Sequence, residues 1–143
     1  MKLSNSYIGL PEEFYQLVDP SPVKDPSLII YNQDLAASLK IDLEKEEILK
    51  YFSGNEVPNG SVPIALNYAG HQFGNFVHQL GDGRAVLLGE ISNKSGSNDV
   101  QLKGSGQTMF SRQGDGRSAL GPVIREYILS EAMHHLGIPT SRA

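Results

Sequence analysis

The pattern of apolar and polar positions divides the chain into two stretches of different rhythm. In the first, no period holds across residues 11–27, where Pro11, Pro20, Pro22 and Pro26 interrupt it. Each proline lacks a backbone N–H and restricts its predecessor, so this arm is predicted extended or turned. Leu28-Ile29-Ile30-Tyr31 is a short apolar run and a strand candidate. Asn32 can cap a helix running to about Lys40, with Leu35, Ala36 and Leu39 on one face. A second helix is predicted from about Leu43 to Phe52, burying Leu43, Ile48, Leu49 and Phe52 and stopping near Gly54. Its Glu44, Glu46 and Glu47 lie near the positive end of the helix dipole and read as a solvated face.

The second stretch changes period at Phe73. Residues 73–80 form a strand candidate, Gly81-Asp82-Gly83 a tight turn, and residues 84–91 a strand rich in Val, Leu and Ile. Polar residues 92–99 read as a loop, and Val100-Gln101-Leu102-Lys103 as a third strand. A glycine-rich connection runs from Gly104 through Gly116. Leu120, Ile124, Tyr127, Ile128 and Leu136 then mark a packed helix over residues 119–136, ending near Gly137. Antiparallel strands followed by a helix give an α+β fold. The division expected is residues 1–54 as an N-terminal arm with helices and residues 55–143 as a strand-and-helix lobe.

Composition sharpens this division. Of 15 glycines only Gly9 precedes Gly54, and all five arginines lie beyond residue 83. Residues 1–50 carry nine acids and five lysines, whereas the remainder carries seven charges of each sign. Glycine permits close backbone approach and arginine binds oxyanions, so ligand chemistry is expected in the second stretch. The formal charge of −4 without a basic run speaks against nucleic-acid binding. No apolar run approaches the roughly 20 residues that a membrane helix needs. Met1 to Ser6 resembles neither a secretory signal nor a transit peptide, which makes the expected location cytoplasmic. With no cysteine, disulfides, thiolate zinc sites and cysteine nucleophiles are excluded from these residues.

Three Gly-x-Gly turns (residues 81–83, 104–106 and 114–116) lie near Arg84, Lys103, Arg112 and Arg117. None completes a dinucleotide fingerprint, because Val86, Met109 and Ala119 stand where its last glycine belongs. Asp-Gly between strands is commonly a plain hairpin turn. Clustered with cations, the turns also suit a polyphosphate held by freed backbone N–H groups. Lys103 ends an apolar strand, and Glu126 projects from a largely apolar stretch of the last helix. They are either an exposed lysine and an exposed glutamate with no relation, or a pair in which the cation offsets the desolvation of a buried acid. His71 and His78 lie apart in sequence, and the adjacent His134 and His135 point in different directions on a helix, so no zinc site is expected. Asn59-Gly60-Ser61 and Asn93-Lys94-Ser95 match the glycosylation sequon by chance.

Taken together, longer strings carry a resemblance. They are Asn67-Tyr68-Ala69-Gly70-His71-Gln72-Phe73-Gly74, Gln79 to Ala85, Gln101-Leu102-Lys103-Gly104-Ser105-Gly106, Phe110-Ser111-Arg112, Gly114 to Arg117, Arg125-Glu126-Tyr127, Ser130 to Met133 and Leu136 to Thr140. The chain resembles the N-terminal part of the selenoprotein O (YdiU) family, with small departures at His78, Gln107, Gln113 and Ser118. The resemblance implies an incomplete protein-kinase-like N-lobe, built from an antiparallel sheet plus a packed helix. The enzyme it implies transfers AMP from ATP to Ser, Thr or Tyr hydroxyls of protein substrates, with pyrophosphate leaving. Carried over, Gly81, Gly83 and Arg84 form the nucleotide-binding loop, Lys103 meets the phosphates, Glu126 orients that lysine, and Asp115 and Gly116 add nucleotide contacts. The resemblance also implies Mg²⁺ (or Mn²⁺), with the metal ligands and the catalytic aspartate beyond Ala143, so the chain reads as a fragment that is inactive alone. The alternatives are a non-catalytic nucleotide-binding module and an interaction domain. Strand, glycine turn, strand, lysine strand and glutamate helix follow the element order of a kinase N-lobe.

Overall fold

The computed structural model describes residues 1–93 and 96–143. The sequon at Asn93-Lys94-Ser95 thus falls partly outside the described residues. Strands β1 (Tyr15–Leu17), β2 (Ile64–Leu66), β5 (Ala85–Asn93) and β6 (Gly96–Lys103) form one antiparallel sheet in the order β1-β2-β5-β6. Strands β3 (Gly70–Gln72) and β4 (Asn75–Val77) make a separate hairpin. Helices α1 (Gln33–Leu39), α2 (Lys45–Phe52) and α3 (Leu120–His135) complete an α+β architecture.

The two N-terminal helices match their local signals. The Asn32 Oδ1 accepts the Leu35 N–H at 3.0 Å, and Lys40 closes α1 in the left-handed region. Glu44 and Glu47 form a reciprocal capping box at the start of α2. Four of the expected elements need correction. Residues 28–31 form no strand, because an apolar run without a neighbouring strand has nothing to bond its backbone. Residues 73–80 are not one strand: Phe73 and Gly74, with φ of 52° and 79°, make the two-residue turn of the β3–β4 hairpin. Nor is Gly81-Asp82-Gly83 a hairpin turn, since β4 and β5 lie in different sheets. Residues 92–99 are largely strand, because β5 and β6 stay paired out to Asn93 opposite Gly96, which satisfies the backbone of polar residues.

Ile64, Val86, Leu87 and Leu88 are fully buried, each contributing about 1.5–3 kcal/mol by removal from water. On one face of the sheet, Leu88, Ile91 and Leu102 pack with Leu3, covered by Leu39, Ile41, Phe52 and Val100. Residues 1–54 therefore supply both a strand and core side chains to the sheet that carries Lys103. Along α3, by contrast, the expected apolar stripe is not buried. Leu120, Ile128 and Leu136 are exposed, Ile124 and Tyr127 are half-buried, and only Ser130 is buried. Its apolar residues, including Val123, Leu129 and Met133, are spread around the helix rather than along one stripe.

The connection from β6 to α3 is a loop with a closed neck. Ser105 bridges Arg117, and the Gly106 N–H donates to the Gly116 carbonyl at 3.3 Å. A Cβ on Gly116, which has φ of 69°, would overlap the Gly106 carbonyl. Gly116→Ala is accordingly expected to cost about 1–3 kcal/mol in urea unfolding. Gly114→Ala, where a Cβ meets nothing, is expected within about 0.5 kcal/mol of the parent. Equal losses at both positions would contradict the neck packing.

Candidate functional site

Register at one end of the sheet brings together most of the residues singled out above. Ala85 lies directly opposite Lys103, and the Gly104 N–H donates to the Arg84 carbonyl at 2.7 Å. The end of the glycine turn and the lysine are therefore neighbours on adjoining strands. Alternation along β6 sends Leu102 into the core, while Ser97, Asp99, Gln101 and Lys103 line an open cleft of about 1170 Å³. Residues 28–30 form part of the opposite wall of that cleft, with Val123, Ile124 and Tyr127 of α3.

The Lys103 Nζ donates to the Glu126 Oε1 at 2.6 Å. The lysine and the glutamate therefore meet across 23 positions of sequence, one from the strand and one from the helix. They are not the buried pair suggested by the apolar neighbours of Glu126. The two side chains are 45% and 48% exposed, because the flanking Val123 and Leu129 are themselves exposed. At that exposure an ion pair contributes only about 0.2–1 kcal/mol of stability. Its consequence is positional: a flexible ammonium is fixed at the wall of a cleft.

The Gly81-Asp82-Gly83-Arg84 turn differs from an open phosphate cradle. The N–H groups of Gly81, Asp82 and Gly83 donate to the carbonyls of Tyr68, Leu66 and Gly81 at 3.1, 2.9 and 3.1 Å. Freed backbone donors are thus missing from these three positions. The exposed group is the Arg84 side chain, which has no ion-pair partner among the described residues. A Cβ on Gly81 would overlap the Phe110 ring, and one on Gly83 would crowd the Phe110 carbonyl. The two glycines let the 107–115 loop close over the turn, where the Thr108 Oγ1 donates to the Asp82 carbonyl at 2.6 Å and the Ser111 hydroxyl to the Gly83 carbonyl.

Asp115 lies on the same loop, its Oδ1 accepting the Arg117 N–H at 2.9 Å, and Gly116 forms the neck. Neither is hydrogen-bonded to Lys103, Glu126 or Arg84. Arg117 is already engaged, its Nη2 donating to the Ser21 and Pro22 carbonyls at 3.1 and 3.2 Å. Among the described residues, that leaves Arg84 and the exposed Arg112 as the unpaired cations beside the turn. The histidines serve elsewhere, His71 and His78 lying edge-on to Phe76 at 5.3 and 4.9 Å. Among the described residues no three His, Asp or Glu side chains gather around a metal-sized space.

Reading residue by residue overlooked Asp82. Its carboxylate is buried and accepts from the Leu66 N–H at 3.1 Å, the Tyr68 hydroxyl at 3.0 Å and the Gln101 Nε2 at 3.2 Å. Desolvation and the hydrogen bond to Asp82 push the Tyr68 hydroxyl up to about 12. The sequence offered one signal: Gln101 shares a strand face with Lys103, two residues away.

Comparison with known proteins matches residues 1–143 to the family described as "Protein adenylyltransferase SelO". Curated relatives bearing the name "Protein nucleotidyltransferase YdiU" include one from Maridesulfovibrio salexigens, 60% identical over 146 residues, and one from Agrobacterium fabrum, 59% identical over 147. A third, from Rhizobium meliloti, is 58% identical over 145 residues, covering 99% of the chain. The first two alignments cover the whole chain, which spans about 30% of the length of each of these relatives.

A second ion pair fixes the far end of α3. The Arg142 Nε and Nη2 donate to the two carboxylate oxygens of Glu131, both at 2.6 Å, and the pair is largely shielded. This guanidinium holds the Glu131 carboxyl at about 2, below its usual 4.5. A carboxyl depressed in the folded state stabilises it fully above the unfolded value and loses that contribution as pH falls through the folded one. Melting temperature is therefore expected to fall more steeply in the parent than in Glu131→Gln between about pH 4.5 and 2. Parallel melting profiles for the two would contradict the depressed value.

Proposed function

The chain belongs to the protein adenylyltransferase SelO family, and from that premise we propose that it forms the nucleotide-holding lobe of an enzyme that transfers AMP from ATP to Ser, Thr or Tyr hydroxyls of proteins. The observation carrying this reading is the Lys103–Glu126 contact at 2.6 Å, made by a strand lysine and a helix glutamate beside an open cleft. A half-exposed pair gives the fold little stability, but it holds a compact cation where phosphate oxygens can be met. Arg84, without an ion-pair partner among the described residues, adds a second cation at the same end of the sheet. Gly81 and Gly83 keep the 107–115 loop, with Asp115 and Gly116, close to that end.

In this scheme Lys103 and Arg84 orient the triphosphate so that a protein hydroxyl attacks the α-phosphorus and pyrophosphate departs. The reaction class implies Mg²⁺ (or Mn²⁺), which would neutralise phosphate charge. The described residues supply no ligand set for it, so no step here is routed through the metal. The names carried by the relatives support nucleotidyl transfer as the reaction class. AMP as the transferred group and protein hydroxyls as acceptors are the finer parts of the proposal. The described helices include none long and apolar enough to cross a membrane.

Three outcomes are expected in the full-length protein. Label from α-labelled ATP, but not from γ-labelled ATP, should appear on protein; transfer of the γ-label would replace this reading with phosphorylation. Lys103→Ala should abolish transfer without lowering the melting temperature appreciably, and Arg84→Ala should weaken ATP binding about 10–150-fold, from the loss of about 1.5–3 kcal/mol of charge-assisted bonding. Residues 1–143 alone should transfer nothing detectable, because the described residues gather no set of metal ligands. Incorporation of α-label by the isolated chain would overturn that assignment.

A further inference from the structure

The Asp82 carboxylate is held by donors from three separate pieces of chain. Leu66 ends β2, Tyr68 stands at the start of the segment leading to the β3–β4 hairpin, and Gln101 belongs to β6. Both carboxylate oxygens are used, Oδ1 by Tyr68 and Oδ2 by Leu66 and Gln101. The backbone of the same residue is fastened too. Its N–H donates to the Leu66 carbonyl at 2.9 Å, and its carbonyl accepts the Thr108 hydroxyl at 2.6 Å. Asp82 is 7% exposed, and among the described residues no lysine or arginine pairs with it. A carboxylate in that setting is held by neutral donors alone, an arrangement that requires their geometry to be kept.

Its position gives this junction a consequence. Two residues after Asp82 comes Arg84, and two residues after Gln101 comes Lys103, on the same strand face as Gln101. The Asp82–Gln101 bond therefore ties the turn bearing one cation to the strand bearing the other. The Thr108 bond adds the loop that carries Asp115.

We propose that Asp82 is a positioning residue for nucleotide binding, setting the Arg84 guanidinium relative to Lys103 through its bonds to Gln101, Tyr68 and Leu66. This rests on the nucleotide reading above and extends it to a residue that itself touches no ligand. Replacement by Ala removes the acceptor from the Leu66 N–H, the Tyr68 hydroxyl and the Gln101 amide together, so the turn is released from β6.

The test is a thermodynamic cycle on ATP affinity in the full-length protein, measured by calorimetry for the parent, Asp82→Ala, Arg84→Ala and the double variant. Asp82→Ala is expected to weaken ATP about 10-fold in the parent and less than about 2-fold once Arg84 is already alanine. A residue that merely supported the fold would weaken binding by the same factor in both backgrounds. Gln101→Met provides the same comparison if Asp82→Ala does not fold, since it frees β6 from the turn while leaving the carboxylate two donors. A parent that binds ATP, with factors equal in the two backgrounds or affinity unchanged in the variants, would overturn the positioning role alone. A parent that binds no ATP would overturn the nucleotide reading and this inference with it.

Discussion

The register of β5 against β6 is the constraint on which the other contacts of the site depend. Side chains alternate along a strand, so a slip of one residue would turn Lys103 toward the core and Leu102 toward the cleft. The observed pairing sets Lys103 opposite Ala85 and places Gly104 against the Arg84 carbonyl. Alternation along β6 buries Leu102, opposite the buried Val86, between exposed Gln101 and Lys103, so apolar packing fixes the register that exposes the lysine. Lys103 makes little contribution of its own to stability, and its position is inherited from its buried neighbours.

Around that register the N-terminal arm acts as a brace. Leu3 enters the core, β1 forms the outer strand beyond β2, and the Ser4 N–H and carbonyl both pair with Glu90. Farther along, the Ser21 N–H donates to the Ser105 carbonyl at 2.7 Å, and Arg117 grips the Ser21 and Pro22 carbonyls. The proline-rich segment thus holds the neck of the 107–115 loop while β6 holds the other side. Glycine at 81, 83, 106 and 116 lets these backbones approach more closely than a side chain would allow.

What the sequence made legible followed strong local rules. Asn32 marked α1 because its side chain satisfies a helix-end N–H, and Lys103 and Glu126 were separable as a strand residue and a helix residue. Strands β1 and β2 were not legible, since three residues of Tyr15–Leu17 or Ile64–Leu66 carry no readable period. The Phe73-Gly74 turn was masked because left-handed backbone at phenylalanine has no local signature. The glycine turn was misjudged for a different reason. Whether its N–H groups are free depends on Leu66 and Tyr68, which lie more than ten residues away and reveal nothing locally.

The central claim is that Lys103, held by Glu126, faces the phosphates of a bound nucleotide. An acyl-phosphate derivative of ATP, which acylates lysines lying against the phosphates, tests it most directly in the full-length protein when the labelled peptides are identified by mass spectrometry. Acylation at Lys103, suppressed by excess ATP and reduced in Glu126→Gln, is the result this account predicts. Acylation that spares Lys103, or that excess ATP leaves unchanged there, would contradict it.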